Sequence, residues 1–300
     1  MSAEHFKTFL VVNPKAAGGA TGKRFHRIAE QVRAAVGAFD HAFTKGPEHA
    51  TELAREALGK GYEMIVGVGG DGTFNEVVGG FFDGETPVSP DAVLGLIPQG
   101  TGGDLRRTVG VPTEIAGACA RLAGRETKRV DAGLVTYVGH DGAEHLRPFI
   151  NITSFGIGGQ VVDKVNHSSK ALGGRVSFMW GSVKALLGYR DQTVTLRFDG
   201  GEPETVAVTS VAVCNGRFFG GGMQVAPKAE MDDGLFDVTI WRGYTLTDFA
   251  LKSKMVYDGS HVDDPRTRTL RAKKVEAESE EPGRLPVTVR IVPGALRLKI

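Results

Sequence analysis

The stretch Val66–Gly80, VGVGGDGTFNEVVGG, halts an apolar run on glycine and sets one carboxylate, Asp71, among Gly67, Gly69, Gly70 and Gly72. A turn needs one or two glycines. This many lets backbone N–H groups face an anion, and the start of the helix that follows adds partial positive charge. A carboxylate beside a phosphate cradle repels the ligand unless a cation lies between them, so Asp71 points to Mg²⁺, held directly or through water. Thr73 is expected to cap the following helix, with Asn75 and Glu76 in its first turn. The plainer reading is a glycine-rich turn with Asp71 as a cap. The ingredients recur, however, in PQGTGGD (Pro98–Asp104) and in VVNPKAAGGATG near the N-terminus. Three such loops, each after an apolar strand-like run, favour a nucleotide-triphosphate site over a chance turn. Two other phosphate motifs are near misses. Gly67–Gly72 fits G-x-G-x-x-G, but the next strand ends in Pro98-Gln99 with no acid for a ribose. GGATGKR has Ala17 where a Walker loop needs glycine, and Arg24 where it needs Ser or Thr.

The elements that must hold these loops alternate through the first 130 residues. Strands are predicted at FKTFLVV, FDHAFTK, YEMIVGVG and DAVLGLIP. Between them, TGKRFHRIAEQVRAAV puts Phe25, Ile28, Ala29, Val32 and Val36 on one helical face. PEHATELAREALGKG does the same with Ala50, Leu53, Ala54, Ala57 and Leu58, and TFNEVVGGFF is a short helix. This order implies an α/β domain with a mostly parallel sheet, its loops at the carboxyl edge where ligands bind. After about Lys128 the chain turns to Val, Thr and aromatic strands, RVDAGLVTYV, LRPFINITSF, QTVTLRFD, ETVAVTSVAVCNG and LFDVTIW. Helices are predicted around Leu172–Leu187 and Leu246–Tyr257. The organisation expected is residues 1–130 as an α/β domain and 131–292 as a mainly β domain. The tail LPVTVRIVPGALRLKI reads as two strands broken at Pro293-Gly294, the last, at about 293–300, able to return to the first domain. VEAESEEPG reads as a solvated acidic loop.

Composition bounds the rest. The 300 residues include 42 glycines, about twice the usual ~7% share, without a collagen period. A net charge of +1 argues against a nucleic-acid binder driven by bulk electrostatics. Cys119 and Cys214, without metal-ligand spacing, read as small buried apolar residues in a reducing compartment. The N-terminal apolar run is short and broken by Asn13-Pro14, and no run reaches the ~18 residues of a membrane span. A cytoplasmic protein is therefore expected. The eight histidines form no metal or triad pattern, and His26 and His49 are expected at the surface.

With NPKAAGG, GGDGTFNEVV, GTGGD, VDAG and NGRFFGGGMQVAPKAEMDDGLFDV in this order over nearly the whole chain, the sequence resembles the soluble diacylglycerol kinases, the family that includes sphingosine and ceramide kinases and bacterial lipid kinases. GGDGT alone is shared with NAD kinases and phosphofructokinases; the GGG…P.A…DGLFDV stretch points to lipid kinases. The resemblance implies an NAD kinase/phosphofructokinase-like nucleotide domain with a β-sandwich lipid domain. ATP would be lined by Asn13, Pro14, Lys15, Gly18 and Gly19, by Thr44, by Gly69, Gly70, Asp71, Gly72, Thr73, Asn75 and Glu76, and by Gly100, Thr101 and Gly102. Asp71 would hold the catalytic Mg²⁺ network through water, with Asp104 and Asp131 near the phosphates and the acceptor hydroxyl. A structural Mg²⁺ would take the Asp233 carboxylate and the carbonyls of Glu230 and Leu235; without the family, Asp232-Asp233-Gly234 is a plain turn.

The chain departs from the family twice. Gly103 stands where relatives carry Asn, so a side-chain contact is lost or replaced by backbone. Relatives also carry an Asp-Gly-Glu shortly before the last strands, its Asp assigned as general base. None occurs in that region, and by family spacing about ten residues are missing between Pro282 and Gly283, either a segment left out of the sequence or a real loss of the base. The general base is thus unassigned. The function implied is an ATP- and Mg²⁺-dependent kinase acting on a hydroxyl of diacylglycerol or a related lipid, sphingoid type included. The alternatives are an NAD kinase-like enzyme and a catalytically impaired nucleotide- or lipid-binding relative. The lipid would be met at the membrane surface by peripheral contact. Ser168–Arg190 is the candidate segment, with Lys170, Arg175, Lys184 and Arg190 beside Phe178, Met179 and Trp180; the alternative is a helix packed on the β domain. Oligomeric state stays open, a homodimer among the options.

Overall fold

The computed structural model describes residues 5–139, 141–157, 191–279 and 285–300. The helix expected around Leu172–Leu187 and the membrane segment Ser168–Arg190 lie outside the described residues, as does the point between Pro282 and Gly283. The chain divides into two compact units, one of residues 1–131 with 294–300 and one of 132–293.

The first unit is built on parallel strands: β1 (Thr8–Val12), β2 (Phe39–Phe43), β3 (Met64–Gly69) and β6 (Val93–Pro98). Their order is β2-β1-β3-β6, and the end of the long C-terminal strand β16 (Val287–Lys299) pairs parallel with β6 at Arg297↔Val93 and Leu298↔Leu94. Both β3 and β6 are buried at every residue, as an inner parallel strand covered on both faces must be. Helix α1 (Ala20–Val36) buries Phe25, Ile28, Val32 and Val36 against Leu10, Val66 and Val68. Ala29 is only half-buried. Helices α2 (His49–Gly59) and α3 (Asp71–Gly80) pack so closely that a Cβ on Gly80 would stand 2.6 Å from the Ala54 Cβ. Short β4 (Phe82–Asp83) and β5 (Thr86–Pro87) form a hairpin, and α4 (Asp104–Val109) and α5 (Ile115–Ala120) follow β6.

The second unit is a β sandwich. One sheet has the order β11-β10-β15-β16, with β7 (Thr127–Val138) pairing β16 and β8 (Glu144–Phe149) pairing β7. Its other members are β10 (Gln192–Phe198), β11 (Glu204–Val208) and β15 (Lys274–Glu278). The second sheet, antiparallel throughout, has the order β14-β13-β12-β9, from β9 (Ile152–Gly156), β12 (Ser210–Cys214), β13 (Phe236–Trp241) and β14 (Thr267–Ala272). Period-two alternation sorts β12: Val211 and Val213 join the sandwich core with Phe236, Val275 and Val289, while Ala212 and Cys214 meet Met223, Val225 and Ala226. Helix α6 (Leu246–Asp258) opens on a capping box between Thr245 and Asp248, close to its expected start.

Several expected strands are corrected. LRPFINITSF is two strands in different sheets, β8 and β9. The break at Ile150-Asn151 is fixed by Asn215, whose side-chain N–H donates to the Ile150 carbonyl at 2.7 Å, and by Asn151, which donates to the Phe218 carbonyl at 2.9 Å. ETVAVTSVAVCNG likewise splits into β11 and β12 at Thr209, whose hydroxyl donates to Asp191 at 2.7 Å. The C-terminal strand does not break: β16 runs through Pro293-Gly294, with Gly294 at φ +58 absorbing the bend. The start of the acidic stretch is strand, not loop, because Val275 and Ala277 of β15 alternate into the core. Strand β14 was not anticipated. Both cysteines are buried as expected, which pushes the Cys119 thiol up to about 11 and that of Cys214 well above its ordinary value.

Candidate nucleotide site

The three glycine loops do follow the carboxyl ends of β1, β3 and β6, all within the first unit. They are tied to one another. The Asn13 backbone N–H donates to the Val68 carbonyl at 2.9 Å and its side-chain N–H to the Thr73 hydroxyl at 3.0 Å, joining the first loop to the second. Gln99 N–H donates to the Gly69 carbonyl at 2.7 Å, joining the second to the third. Thr44, after β2, donates its N–H to Val12 at 2.8 Å. Several glycines serve this contact. A Cβ on Gly100 would meet the Gly70 Cα at 2.4 Å, and one on Gly69 would meet the Thr73 hydroxyl at 2.4 Å. Gly18, Gly19 and Gly72 differ, with no heavy atom within 4 Å of where a Cβ would stand. The space on that side of each is open to a ligand, while the Gly19 N–H is already donated to the Lys15 carbonyl at 3.1 Å. Ala17 and Gly18 are left-handed (φ 51 and 64), as is Gly19 (φ 89), which turns the chain into α1; the first turn of α1 holds no acid to oppose an anion.

Asp71 bridges two loops. One carboxylate oxygen accepts from Gly103 N–H at 2.8 Å and the other from Leu105 N–H at 2.9 Å, so it holds the start of α4. Asp104, buried, faces the same place: a Cβ on Gly102 would lie 2.9 Å from an Asp71 oxygen and 3.7 Å from an Asp104 oxygen. Arg107 donates to Asp104 at 3.1 Å and also to the Gly102 carbonyl, supplying positive charge beside the two acids. Sequence reading missed Arg107, although its position three residues after Asp104 on a helix was the available signal. Gly103 adopts φ +67, is itself the N-cap of α4 and has its backbone N–H on Asp71.

Two expectations are corrected here. Helix α3 starts at Asp71 with Gly70 as N-cap and no side-chain cap. Thr73 is therefore inside the helix, where its hydroxyl accepts from Asn13, and Asn75 and Glu76 lie beyond the first turn. The Glu76 carboxylate turns to the start of α2 and accepts from Ala50 N–H at 3.3 Å. Asp131, on β7 and buried, accepts from Gly294 N–H at 2.7 Å. Lys15 and Thr101 are exposed at the loop tips. Open N–H-bearing glycines at a helix start fit phosphate groups. Each Asp71 oxygen already has a backbone donor, but a carboxylate offers about four lone-pair sites, which fits Mg²⁺ held through water.

The turn Glu230–Leu235 lies in the second unit. Asp233 accepts from Leu235 N–H at 3.0 Å and pairs with Arg271 of β14, whose Nε lies 3.8 Å from Asp237. Burial, then the Glu230 charge, raises the Asp237 carboxyl above its ordinary value. Among the described residues no group of three or more His, Cys, Asp or Glu side chains could hold a metal ion. The Asp233 carboxylate, engaged by the Arg271 guanidinium and by Leu235 N–H, keeps lone pairs for the structural Mg²⁺ expected there with the Glu230 and Leu235 carbonyls. Arg271 escaped notice because its strand did.

Residues 7–135 match the diacylglycerol kinase catalytic domain, and 151–300 match the YegS C-terminal NAD kinase beta sandwich-like domain. A "Probable lipid kinase YegS-like" protein of Chromohalobacter salexigens is 36% identical over 64% of this chain and 58% of its own length. A diacylglycerol kinase of Mycobacterium tuberculosis is 28% identical over 95% of this chain and 89% of its own. The crystal structure of a diacylglycerol kinase from Bacillus anthracis has the same fold, with a TM-score of 0.72 at 24% identity over 99% of this chain and 98% of that one. Bridged glycine loops on a parallel sheet, a β sandwich and matches to both domains together place the chain in the diacylglycerol kinase and YegS-like family of lipid kinases.

Proposed function

We propose that the chain is an ATP- and Mg²⁺-dependent kinase that phosphorylates a hydroxyl of diacylglycerol or a related lipid. The observation that carries this reading is the set of loops after β1, β3 and β6, with open backbone at Gly18, Gly19 and Gly72 and the Asp71 carboxylate at their centre. In this reading residues 1–130 with the final strand form the ATP domain, and the sandwich takes the lipid. The N–H groups of Gly18 and of the first turn of α3 bind phosphate oxygens, with Asn13 and Thr73 holding the two loops in register. Mg²⁺, when bound, neutralises charge on the transferred phosphoryl group. Asp71 positions it through water while anchoring α4. Asp104 and Asp131 lie near the phosphates and the acceptor hydroxyl, and Arg107 tempers the negative charge around Asp104. Transfer of this kind depends chiefly on positioning and charge neutralisation, so absence of an Asp-Gly-Glu before the last strands slows the reaction rather than abolishing it. The enzyme works at the membrane surface in the cytoplasm. Among the described residues no helix is long and apolar enough to cross a bilayer.

Labelled ATP offered in parallel with diacylglycerol, sphingosine and NAD tests the proposal. Label entering a lipid supports it, label entering NAD alone selects an NAD kinase-like enzyme, and nucleotide binding without transfer to any acceptor selects an impaired relative.

A further inference from the structure

The edge strand β2 carries Phe39, His41 and Phe43 on one face, where they run along α1 as a ladder. Phe25 of α1 lies 4.7 Å from the His41 ring and 5.0 Å, edge-on, from the Phe43 ring; His41 and Phe43 are 5.5 Å apart at 88°. The ladder emerges into solvent toward the carboxyl end of the strand. Phe25 is buried, Phe39 half-buried, and Phe43 is 41% exposed. Phe25 and His41 cover part of the Phe43 ring, and the rest is open to solvent. Phe43 sits opposite Val12, one residue before Asn13, and the next residue, Thr44, is bonded to the Val12 carbonyl. The exposed ring therefore stands at the same sheet edge as the open glycines Gly18 and Gly19, beside the start of α1.

We infer that Phe43 is a stacking platform for the base of the bound nucleotide. This rests on the nucleotide reading of the glycine loops and adds to it a residue that recognises the base rather than the phosphates. A planar aromatic base gains by covering an exposed aromatic face, and stacking of this kind tolerates different bases because every base has a π-face. Holding the Phe43 ring edge-on, Phe25 and His41 act as positioning residues.

The test is equilibrium binding of ATP and of inorganic tripolyphosphate, each with Mg²⁺, to the full chain and to Phe43→Leu, which keeps the apolar contact with Phe25 but removes the ring. The expected result is ATP binding weakened about tenfold or more with tripolyphosphate binding within about twofold of wild type. Equal retention of both ligands in Phe43→Leu, or equal loss of both, overturns the inference while leaving the nucleotide reading standing. Wild-type protein that binds neither ligand overturns the nucleotide reading and this inference with it. A fall in molecular mass by light scattering in Phe43→Leu would place the ring at a contact between two copies and also overturn it. Should the leucine variant not fold, Phe43→Trp carries the test: its emission is quenched by ATP and not by tripolyphosphate, and absence of that difference overturns the inference.

Discussion

Replacing Asp71 with alanine tests the double duty assigned to it. The carboxylate satisfies the N–H groups of Gly103 and Leu105, both buried residues, at 2.8 and 2.9 Å. Alanine leaves two donors without an acceptor, each costing about 1–3 kcal/mol. Asp71 itself is only half-buried, so water reaching the loop recovers part of this, and roughly 2–3 kcal/mol is the expected loss. For a protein of this size 1 kcal/mol moves Tm by about 2–4 °C, so Asp71→Ala should melt roughly 5–10 °C lower than wild type. Asp71→Asn keeps one acceptor oxygen and should fall between the two. Differential scanning calorimetry without nucleotide reads the structural part alone, and lipid kinase assay of both variants at saturating Mg²⁺ reads the catalytic part. Loss of activity is expected in both. A Tm for Asp71→Ala within 1 °C of wild type would refute the bridging role, and near-wild-type turnover would remove Asp71 from the reaction.

Asn13→Ala and Thr73→Ala should each destabilise the protein, and a double-mutant cycle should give a coupling of about 0.5–1.5 kcal/mol for their single hydrogen bond; additive losses would show that the loops are not joined there. Asp233→Ala should lower Tm and remove the response of Tm to added Mg²⁺; an unchanged Tm with an unchanged Mg²⁺ response would leave only a turn at this position. Acid should weaken the sandwich through Asp264, whose buried carboxylate, paired with Lys252 and accepting from Arg266 N–H, titrates down at about 2. Because its folded value lies below the unfolded one, the stabilisation is complete above about pH 4 and is lost as pH falls toward 2; denaturant titrations at pH 6, 4, 3 and 2 should show a loss that Asp264→Asn lacks.

The first unit was largely legible because its signals are local. Long apolar runs ending on glycine fix β3 and β6, and helical periodicity fixes α1 and α2. The glycine loops were found for the same reason. Their purpose was only half legible, since the close approach of Gly100 to Gly70 depends on strand order, which no local pattern records. The sandwich was harder. Its strands break where a side chain from elsewhere in the chain intervenes, as Asn215 does at Ile150 and Asp191 at Thr209. In Lys274–Glu278 only two apolar residues among charged ones, Val275 and Ala277, reach the core, and charge patterning outweighs so short an alternation. Thr73 looked like a cap because Thr so often is one; the helix began earlier, on a glycine N-cap that leaves no side-chain signature.

The return of the final strand to the first unit has a consequence for how the protein is made. The first unit draws its fifth parallel strand from the end of β16, and Asp131 waits for Gly294, 163 residues further along. Arg297 to Thr127 and Lys299 to the Glu126 carbonyl span longer gaps still. At a translation rate of about 5–20 residues per second, β6 emerges with one edge unpaired and keeps it so for roughly 10–40 s. During that time Val93 and Leu94, wholly buried in the finished fold, border an open sheet edge of the kind that recruits other chains. The nascent chain thus needs either a chaperone or rapid folding of the sandwich behind it, and changes to the last seven residues should reduce soluble yield before they affect any property of the folded protein.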